Sequence, residues 1–400
     1  MINKIRIKNF KSIEDLEFEL GKLNVIIGAN GSGKTNILEA IVMGAAASAS
    51  KLDYEFLGNR IRITSPEFMR NAFPNTTEKE IQLKFYQENK EFFYKLINDK
   101  NDYRKWIEIN RTNFQTETTQ LLMDLISGDE NLLKELEDDD AKSFLASLNT
   151  IMKKEKETLN EGFNEIIPVI SNKIIKDEFS LNEISEFLIY TPELSYLRRF
   201  EEFSQITPLG VKGEGLFNLL KQVVSNKRKK KQITDIKDNL HLLDWFDDFD
   251  IPENLMSNEF KIAIKDRFIK SELNFFDQSS SNEGFLYLLF YLVLFTSEKT
   301  PPFFAIDNIE TGFNPKLCTE LIKVLNRLSK KYKKQVIITT HNPAVLDGLN
   351  INDDNQRLFV ARRNKKGKTQ IERITQKTQS KMRLSELWTK GFIGGIPDNF

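Results

Sequence analysis

Gly28-Ala29-Asn30-Gly31-Ser32-Gly33-Lys34-Thr35 fits the phosphate-binding pattern G-x-x-x-x-G-K-[ST] at every fixed position. Three glycines let the backbone wrap a polyphosphate closely with its N–H groups turned inward, and the next helix adds partial positive charge at its start. Lys34 is expected to reach the β- and γ-phosphates of a nucleoside triphosphate, and the Thr35 hydroxyl to ligate Mg2+. Far down the chain, Phe303-Phe304-Ala305-Ile306-Asp307 is an apolar run ending in a carboxylate, the arrangement that holds Mg2+ through its water shell. Gln335-Val336-Ile337-Ile338-Thr339-Thr340 is another such run, and His341-Asn342-Pro343 follows it at once. A histidine at a strand's C-terminal end sits on the ligand-bearing rim of an open α/β sheet, where it could sense a γ-phosphate or orient an attacking water. Between these sets, Gln278-Ser279-Ser280-Ser281-Asn282-Glu283-Gly284 is a small, polar turn before the apolar helix Phe285–Phe295, a second place where helix N–H groups could meet an anion. His241, the other histidine, has no such context and reads as structural.

These residues need elements to carry them. Leu23–Ile27 is a short apolar, β-branched run that reads as a buried strand feeding the glycine loop. Asn36 to Ala47 is helix-forming from the point where the loop ends. Ile5–Phe10 and Leu16–Leu20 alternate with period two, as strands do. So do Glu80–Tyr86, Glu91–Leu96 and Arg104–Asn110, with a turn at Lys100-Asn101-Asp102, which together read as an antiparallel meander beside the nucleotide lobe. From Thr116 to Lys176 the leucines and phenylalanines take helical spacing, broken at Gly128 and Pro168, without sustained heptads. The acidic runs 137–140 and 247–250 read as helix surface and loop rather than a metal site.

Composition sets outer bounds. Lys+Arg and Asp+Glu are equal at 58 each in 400 residues, so any nucleic acid or membrane partner must be met by a local patch. Lys227-Arg228-Lys229-Lys230-Lys231 is the densest basic run, readable as a phosphate contact or as a solvated helix end. The single cysteine, Cys318, excludes an internal disulfide and a cysteine-based metal site. The longest apolar run, Phe285–Phe295, is too short to cross a bilayer, and the N-terminus has no signal-peptide core. The expectation is a cytoplasmic protein without a membrane partner.

In this order, the glycine loop, serine-rich turn with helix, Asp strand and strand-His resemble the ABC-class ATPase heads of the RecF, SMC and OLD group. More closely they look like the stand-alone prokaryotic AAA_15/AAA_21-type ATPases. Asn9-Phe10-Lys11-Ser12, Phe304–Glu310, Asn314-Pro315, Thr340–Pro343 and Leu384–Trp388 all fit that type. The resemblance implies an α/β P-loop NTPase of ABC type, a mixed sheet with an antiparallel β subdomain. Residues 1–110 and 186–400 would form the ATPase lobe, and 111–185 a helical insertion.

Laid over this sequence, the resemblance puts Asn9, Phe10 and Lys11 near the base or ribose of ATP. Gly28, Asn30, Gly31, Ser32, Gly33, Lys34, Thr35 and Asn36 would hold the phosphates, with Thr35 and Asp307 serving Mg2+. Ser281, Asn282, Glu283 and Gly284 would form the signature turn that reaches a partner subunit's γ-phosphate, Asn314 the D-loop contact and His341 the switch histidine. Completion in trans implies an ATP-sandwiched homodimer, or a higher oligomer built from it. Such heads carry Asp-Glu at the end of the Asp strand; here Asn308 takes the Glu position and Glu310 stands two residues on. An amide cannot take a proton from water as a carboxylate can, so the expected catalytic set is Lys34, Asn308, Glu310 and His341 with slow hydrolysis assisted by Glu310. Gln82 and Gln87 are the only candidates for a Q-loop. The resemblance points to regulation of a separate, nuclease-type effector in anti-phage defence, with a RecF-like role directly on DNA as the alternative. No Asn-Lys-x-Asp base-recognition motif supports a GTPase. The apolar, Gly-rich stretch Gly391–Phe400 could dock a partner or pack on its own lobe.

Overall fold

The computed structural model describes residues 1–74, 77–88, 90–98, 106–110, 182–201, 204–225, 230–252, 255–256, 259–270, 275–375 and 382–395. In chain order the strands are β1 (Lys4–Phe10), β2 (Ile13–Glu19), β3 (Leu23–Ile27), β4 (Ile81–Gln87), β5 (Lys90–Ile97), β6 (Ile107–Glu108) and β7 (Ile189–Tyr190). They continue with β8 (Phe246–Asp250), β9 (Ala263–Asp266), β10 (Phe303–Ile306), β11 (Gln335–Thr339), β12 (Gln356–Arg363) and β13 (Thr369–Ile374). The helices that matter below are α1 (Lys34–Ser48), α2 (Leu194–Arg199), α3 (Leu216–Ser225), α4 (Lys230–Leu240), α5 (Glu283–Thr296), α6 (Pro315–Lys331) and α7 (Leu384–Thr389).

β3, β10 and β11 are buried at every residue, as continuous apolar runs in a parallel sheet must be. They form the centre of a six-stranded sheet, order β13-β12-β3-β11-β10-β7, parallel throughout except for the antiparallel pair β12–β13. Side chains alternate across it. Val25, Ile27, Phe304, Ile306, Val336 and Ile338 enter one core, while Ile26, Phe303, Ala305 and Ile337 enter the other. The sheet is therefore a wall between two cores.

The second core is closed by a five-stranded antiparallel sheet, order β2-β1-β4-β5-β6, with α1 lying between the sheets. All but two of the 15 residues of α1 are buried, so it shows no polar face, as a helix covered on all sides should not. Gly44 lets the Phe85 ring of β4 come so close that a Cβ would stand 2.3 Å from it. The first core is filled from the opposite side by α5, apolar nearly all round, with α6, α3 and α4 around it.

Of the expected meander, β4 and β5 are present with β6 reduced to Ile107–Glu108, joined to β1 and β2 in one sheet, and the turn at 100–102 lies outside the described residues. One reading is corrected. The run 247–250 belongs to β8, paired antiparallel with β9, and its carboxylates face lysines: Asp247 with Lys265 at 2.6 Å and Asp248 with Lys237 at 2.8 Å. Alternation of Phe246 and Phe249 with aspartates hides a strand whose inner face is aromatic. The helical spacing of Thr116–Lys176, the acidic run 137–140 and residues 227–229 of the basic run lie outside the described residues. Gly391–Gly395 turns back on its own lobe: a Cβ on Gly395 would lie 3.4 Å from the Cα of Gly28.

Candidate functional site

β3, β10 and β11 run in parallel, so the loops leaving their C-terminal ends emerge on one rim. There the glycine loop, Asp307–Asn308 and His341 line one cavity of about 350 Å3. The glycines do separate jobs. Gly28, at φ +151°, leaves β3 so close to β12 that a Cβ would stand 2.2 Å from the Ala361 carbonyl oxygen. Gly33, at φ +103°, begins α1 in the left-handed region, and a Cβ there would run into Thr369 Oγ1 at 2.1 Å. Thr369, at the start of β13, braces the loop from behind, donating to the Ser32 carbonyl oxygen at 3.1 Å and sharing a 2.7 Å hydrogen bond with Ser12. Asn36 donates to the same Ser12 hydroxyl at 2.7 Å.

The Lys34 ammonium is folded onto the loop itself, donating to the Gly28 and Ala29 carbonyl oxygens at 2.8 and 3.1 Å. Burial lowers its pKa, against the opposing pull of Asp307 and Glu310. The Thr35 hydroxyl donates to Asp307 Oδ2 at 3.3 Å, and the other Asp307 oxygen accepts from the Thr339 hydroxyl. A hydroxyl and a carboxylate side by side at the mouth of a glycine cradle suit a hard divalent cation. Thr339 Oγ1 also accepts from the Asn308 backbone N–H at 3.0 Å, and Asn308 itself stands in the left-handed region at φ +58°. Glu310 faces elsewhere. Its two oxygens accept from the Thr340 hydroxyl at 2.8 Å and the His341 backbone N–H at 2.9 Å, and it does not line the cavity. Burial, then the nearby Lys34 charge, lowers the His341 pKa, which keeps the ring neutral at pH 7.

A second cavity of about 380 Å3 adjoins the first through Asn36, Arg62 and Arg363, which line both. Its wall adds Lys11, Phe68 and Phe73, cations and aromatic faces next to a phosphate cradle. Beneath it Glu39, 2% exposed on α1, accepts from Lys11 at 2.7 Å and from Arg62 Nε at 2.7 Å. Burial pushes the Glu39 carboxyl up, and hydrogen bonds and charge from Arg62 and Lys11 outweigh it, leaving the pKa below the ordinary carboxylate range. Lys11 faces this cavity, but Asn9 and Phe10 face neither. Phe10 is wholly in the core. Asn9 donates to the carbonyl oxygens of Glu78 and Glu80 and accepts from the Asn71 N–H, tying down the backbone beside β1. Gln82 and Gln87 both sit on β4 and line neither cavity. Arg62, Arg363, Glu39 and Thr369 escape sequence reasoning; the lone carboxylate in the apolar run of α1 is the one visible signal.

The turn before α5, expected as the signature turn, lies apart. Asn282 caps α5 by accepting from the Phe285 N–H at 2.9 Å, and Asn314 caps α6 by accepting from the Leu317 N–H at 2.9 Å. Ser281 is buried and donates to the Asn282 carbonyl oxygen at 3.0 Å. Arg198, from α2, holds the turn by donating to the Ser281 carbonyl oxygen at 2.9 Å. Gly284 packs closely on the loop before α6, with room for a Cβ only 3.3 Å from the Gly312 carbonyl oxygen. Asn282, Glu283, Gly284 and Asn314 line a third cavity of about 660 Å3 that shares no residue with the phosphate cavity.

A family model described as "AAA domain, putative AbiEii toxin, Type IV TA system" (AAA_21) matches residues 23–347. An OLD nuclease of Thermus scotoductus is 49% identical over 41 residues, 10% of this chain and 8% of that protein. The DNA replication and repair protein RecF of Bacillus cytotoxicus is 45% identical over 51 residues, 12% of this chain and 14% of that protein. This chain thus matches only a small part of these curated relatives. Among solved structures, an SMC head bound to the C-terminal winged-helix domain of ScpA aligns with TM-score 0.53 and 14% identity. That alignment covers 94% of this chain and 98% of the other, a likeness of fold.

Proposed function

The chain belongs to the AAA_21 family, within the ABC-class ATPases of the RecF, SMC and OLD group, and we propose that it binds ATP with Mg2+, dimerises around it and regulates a separate effector. The effector is a nuclease-type protein in prokaryotic anti-phage defence, and hydrolysis is slow. One observation carries the dimer: the phosphate cavity and the signature-turn cavity share no residue within one subunit. A turn of that kind meets a nucleotide only when a second copy brings one.

Within a subunit the glycine loop and the start of α1 bind the phosphates, and Lys34 exchanges the loop carbonyls for phosphate oxygens. Thr35 and Asp307 would hold the cation, which would supply charge neutralisation for the phosphates. Lys11, Arg62 and the ring of Phe73 take the ribose and base. The neutral His341 accepts or donates one hydrogen bond at the γ-phosphate end. Slow turnover is supported by Asn308, an amide on the cavity wall, and by Glu310, whose oxygens hold Thr340 and His341. Glu310 then assists by fixing the histidine's backbone.

The nuclease-type effector is suggested by the OLD nuclease relative, over its short stretch. A direct role on DNA is the second reading. It is favoured by the basic end of β12 and the turn after it, Arg362, Arg363, Lys365, Lys366 and Lys368, of which Arg363 lines both nucleotide cavities.

The test is the mass of the purified protein with and without ATP and Mg2+, alone and with its genomic neighbour. Doubling with ATP and co-purification of a nuclease supports the proposal; an ATP-bound monomer overturns the trans site, and an ATP-dependent DNA complex without a partner favours the second reading. Asn308→Glu is expected to raise the turnover number at least tenfold, given the ~10²–10⁴ that a positioned acid–base group contributes. An unchanged steady-state rate would remove the amide as the cause of slowness.

A further inference from the structure

A cavity of about 340 Å3 lies at the β7 edge of the six-stranded sheet, away from the three described above. Leu188 and Tyr190 line it from the strand face that looks into the first core, while Ile189 faces the other way. Tyr190 is 0% exposed, and among the described residues its hydroxyl has no hydrogen-bond partner. A buried polar group without a partner is unfavourable unless something outside the protein satisfies it. Lys51, Arg60 and Lys299 line the same cavity, against one carboxylate, Glu186. No ion pair among the described residues engages any of the three cations. Arg60 and Lys51 share the Phe56 ring, the guanidinium 3.6 Å and the ammonium 5.5 Å from its centre. Arg60 also donates to the Phe56 carbonyl oxygen at 2.9 Å, and Lys299 to Gln222 at 2.5 Å, so both are positioned.

We propose that this cavity is a second ligand site, for a small phosphate-bearing molecule whose oxygens are met by Lys51, Arg60 and Lys299 and by the Tyr190 hydroxyl. Burial, with the Glu186 charge nearby, holds the phenol well above its ordinary pKa, so the hydroxyl remains a donor. The site is tied to the phosphate cavity at three points. Arg60 and Arg62 stand two residues apart, one lining each. Lys51 follows the end of α1, whose start is the glycine loop. The Tyr190 carbonyl oxygen accepts the Asp307 N–H at 3.0 Å. An occupant would therefore be felt at Asp307.

The experiment uses the full chain carrying Lys34→Ala, to weaken the glycine loop, and titrates it by calorimetry with inorganic phosphate and, separately, with AMP. Saturable binding of either supports the site; phosphate alone binding marks a free-oxyanion site, and tighter AMP binding marks a nucleotide site. Adding Lys51→Ala, exposed, and Arg60→Ala, half-buried, should weaken binding at least a hundredfold. Tyr190→Phe should weaken it about tenfold, the scale of one hydrogen bond to a charged group, and should raise the Tm of the ligand-free protein by removing an unpartnered hydroxyl. No binding of either probe at millimolar concentration overturns the proposal. So does binding indifferent to Lys51 and Arg60, or a fall in Tm with unchanged affinity in Tyr190→Phe. Because the readout is made with the glycine loop crippled, failure here is separate from failure of the ATPase reading, which Lys34→Ala tests by loss of ATP.

Discussion

The glycine loop and the serine-rich turn before α5 are made of the same parts, a small-residue turn feeding a buried helix, and they finish those helices in opposite ways. α1 begins at Gly33, which has no side chain to cap it. α5 and α6 begin at Asn282 and Asn314, whose side chains take a first-turn N–H for themselves. A helix start without a side-chain cap leaves its N–H groups for a ligand, whereas a capped one has spent them and presents its turn outward. The first is a receptor within one chain. On the dimer proposed above, the second is a shaped surface for a ligand carried by another.

Lys34→Ala bears hardest on that contrast. Two charge-assisted contacts should go, about 3 kcal/mol or more, so ATP affinity should fall at least a hundredfold in a fluorescent-nucleotide titration. Asn282→Ala should leave the affinity of the single subunit unchanged, and equal losses in both would break the comparison.

Glu39→Gln comes next. It removes the carboxylate under Lys11 and Arg62, a change that leaves a mostly buried lysine unpaired. The expected loss is about 2–3 kcal/mol, below the range for a fully buried pair because Arg62 is 67% exposed. The sign with pH follows from the depressed Glu39 pKa. Its stabilisation is complete above the ordinary carboxylate range and is lost as pH falls through the folded value. Denaturant midpoints of the wild type should therefore drop more steeply on acidification than those of Glu39→Gln.

The smallest effects belong to the caps. Asn282→Ala and Asn314→Ala should each cost about 1 kcal/mol, a few degrees of Tm, and Asn314→Gly distinctly less.

The buried parallel strands were the most legible part of the chain. β3, β10 and β11 are continuous apolar runs, and a strand covered on both faces can hardly be written otherwise. The glycine loop is legible for a related reason: positive φ at Gly33 and the close approach at Gly28 admit no side chain. β8 was not, because its buried positions are Phe246 and Phe249 while aspartates fill the rest. β7 is two residues long, and its pairing with β10 is decided by neighbours far away in sequence. In the candidate site, the gathering of the glycine loop, Asp307 and His341 on one rim was legible and their partners were not. Nothing in the spacing of Asp307 announces that Thr339 holds it, nor that Glu310 would turn away to Thr340 and His341. Asn9 shows the opposite limit, since an amide expected at the ligand is turned to the backbone instead.

Three consecutive residues at the end of β11 each clasp something from the loop after β10: Thr339 the Asp307 carboxylate and the Asn308 backbone N–H, Thr340 and His341 the Glu310 carboxylate. Over evolutionary time such a clasp restricts which substitutions can be accepted singly. A relative that loses the hydroxyl at position 340 leaves half of Glu310 unheld, and one that loses the carboxylate leaves a backbone N–H open. Positions 310 and 340, and likewise 307 and 339, should therefore drift as pairs among homologues, an inherited coupling written in the history of the family.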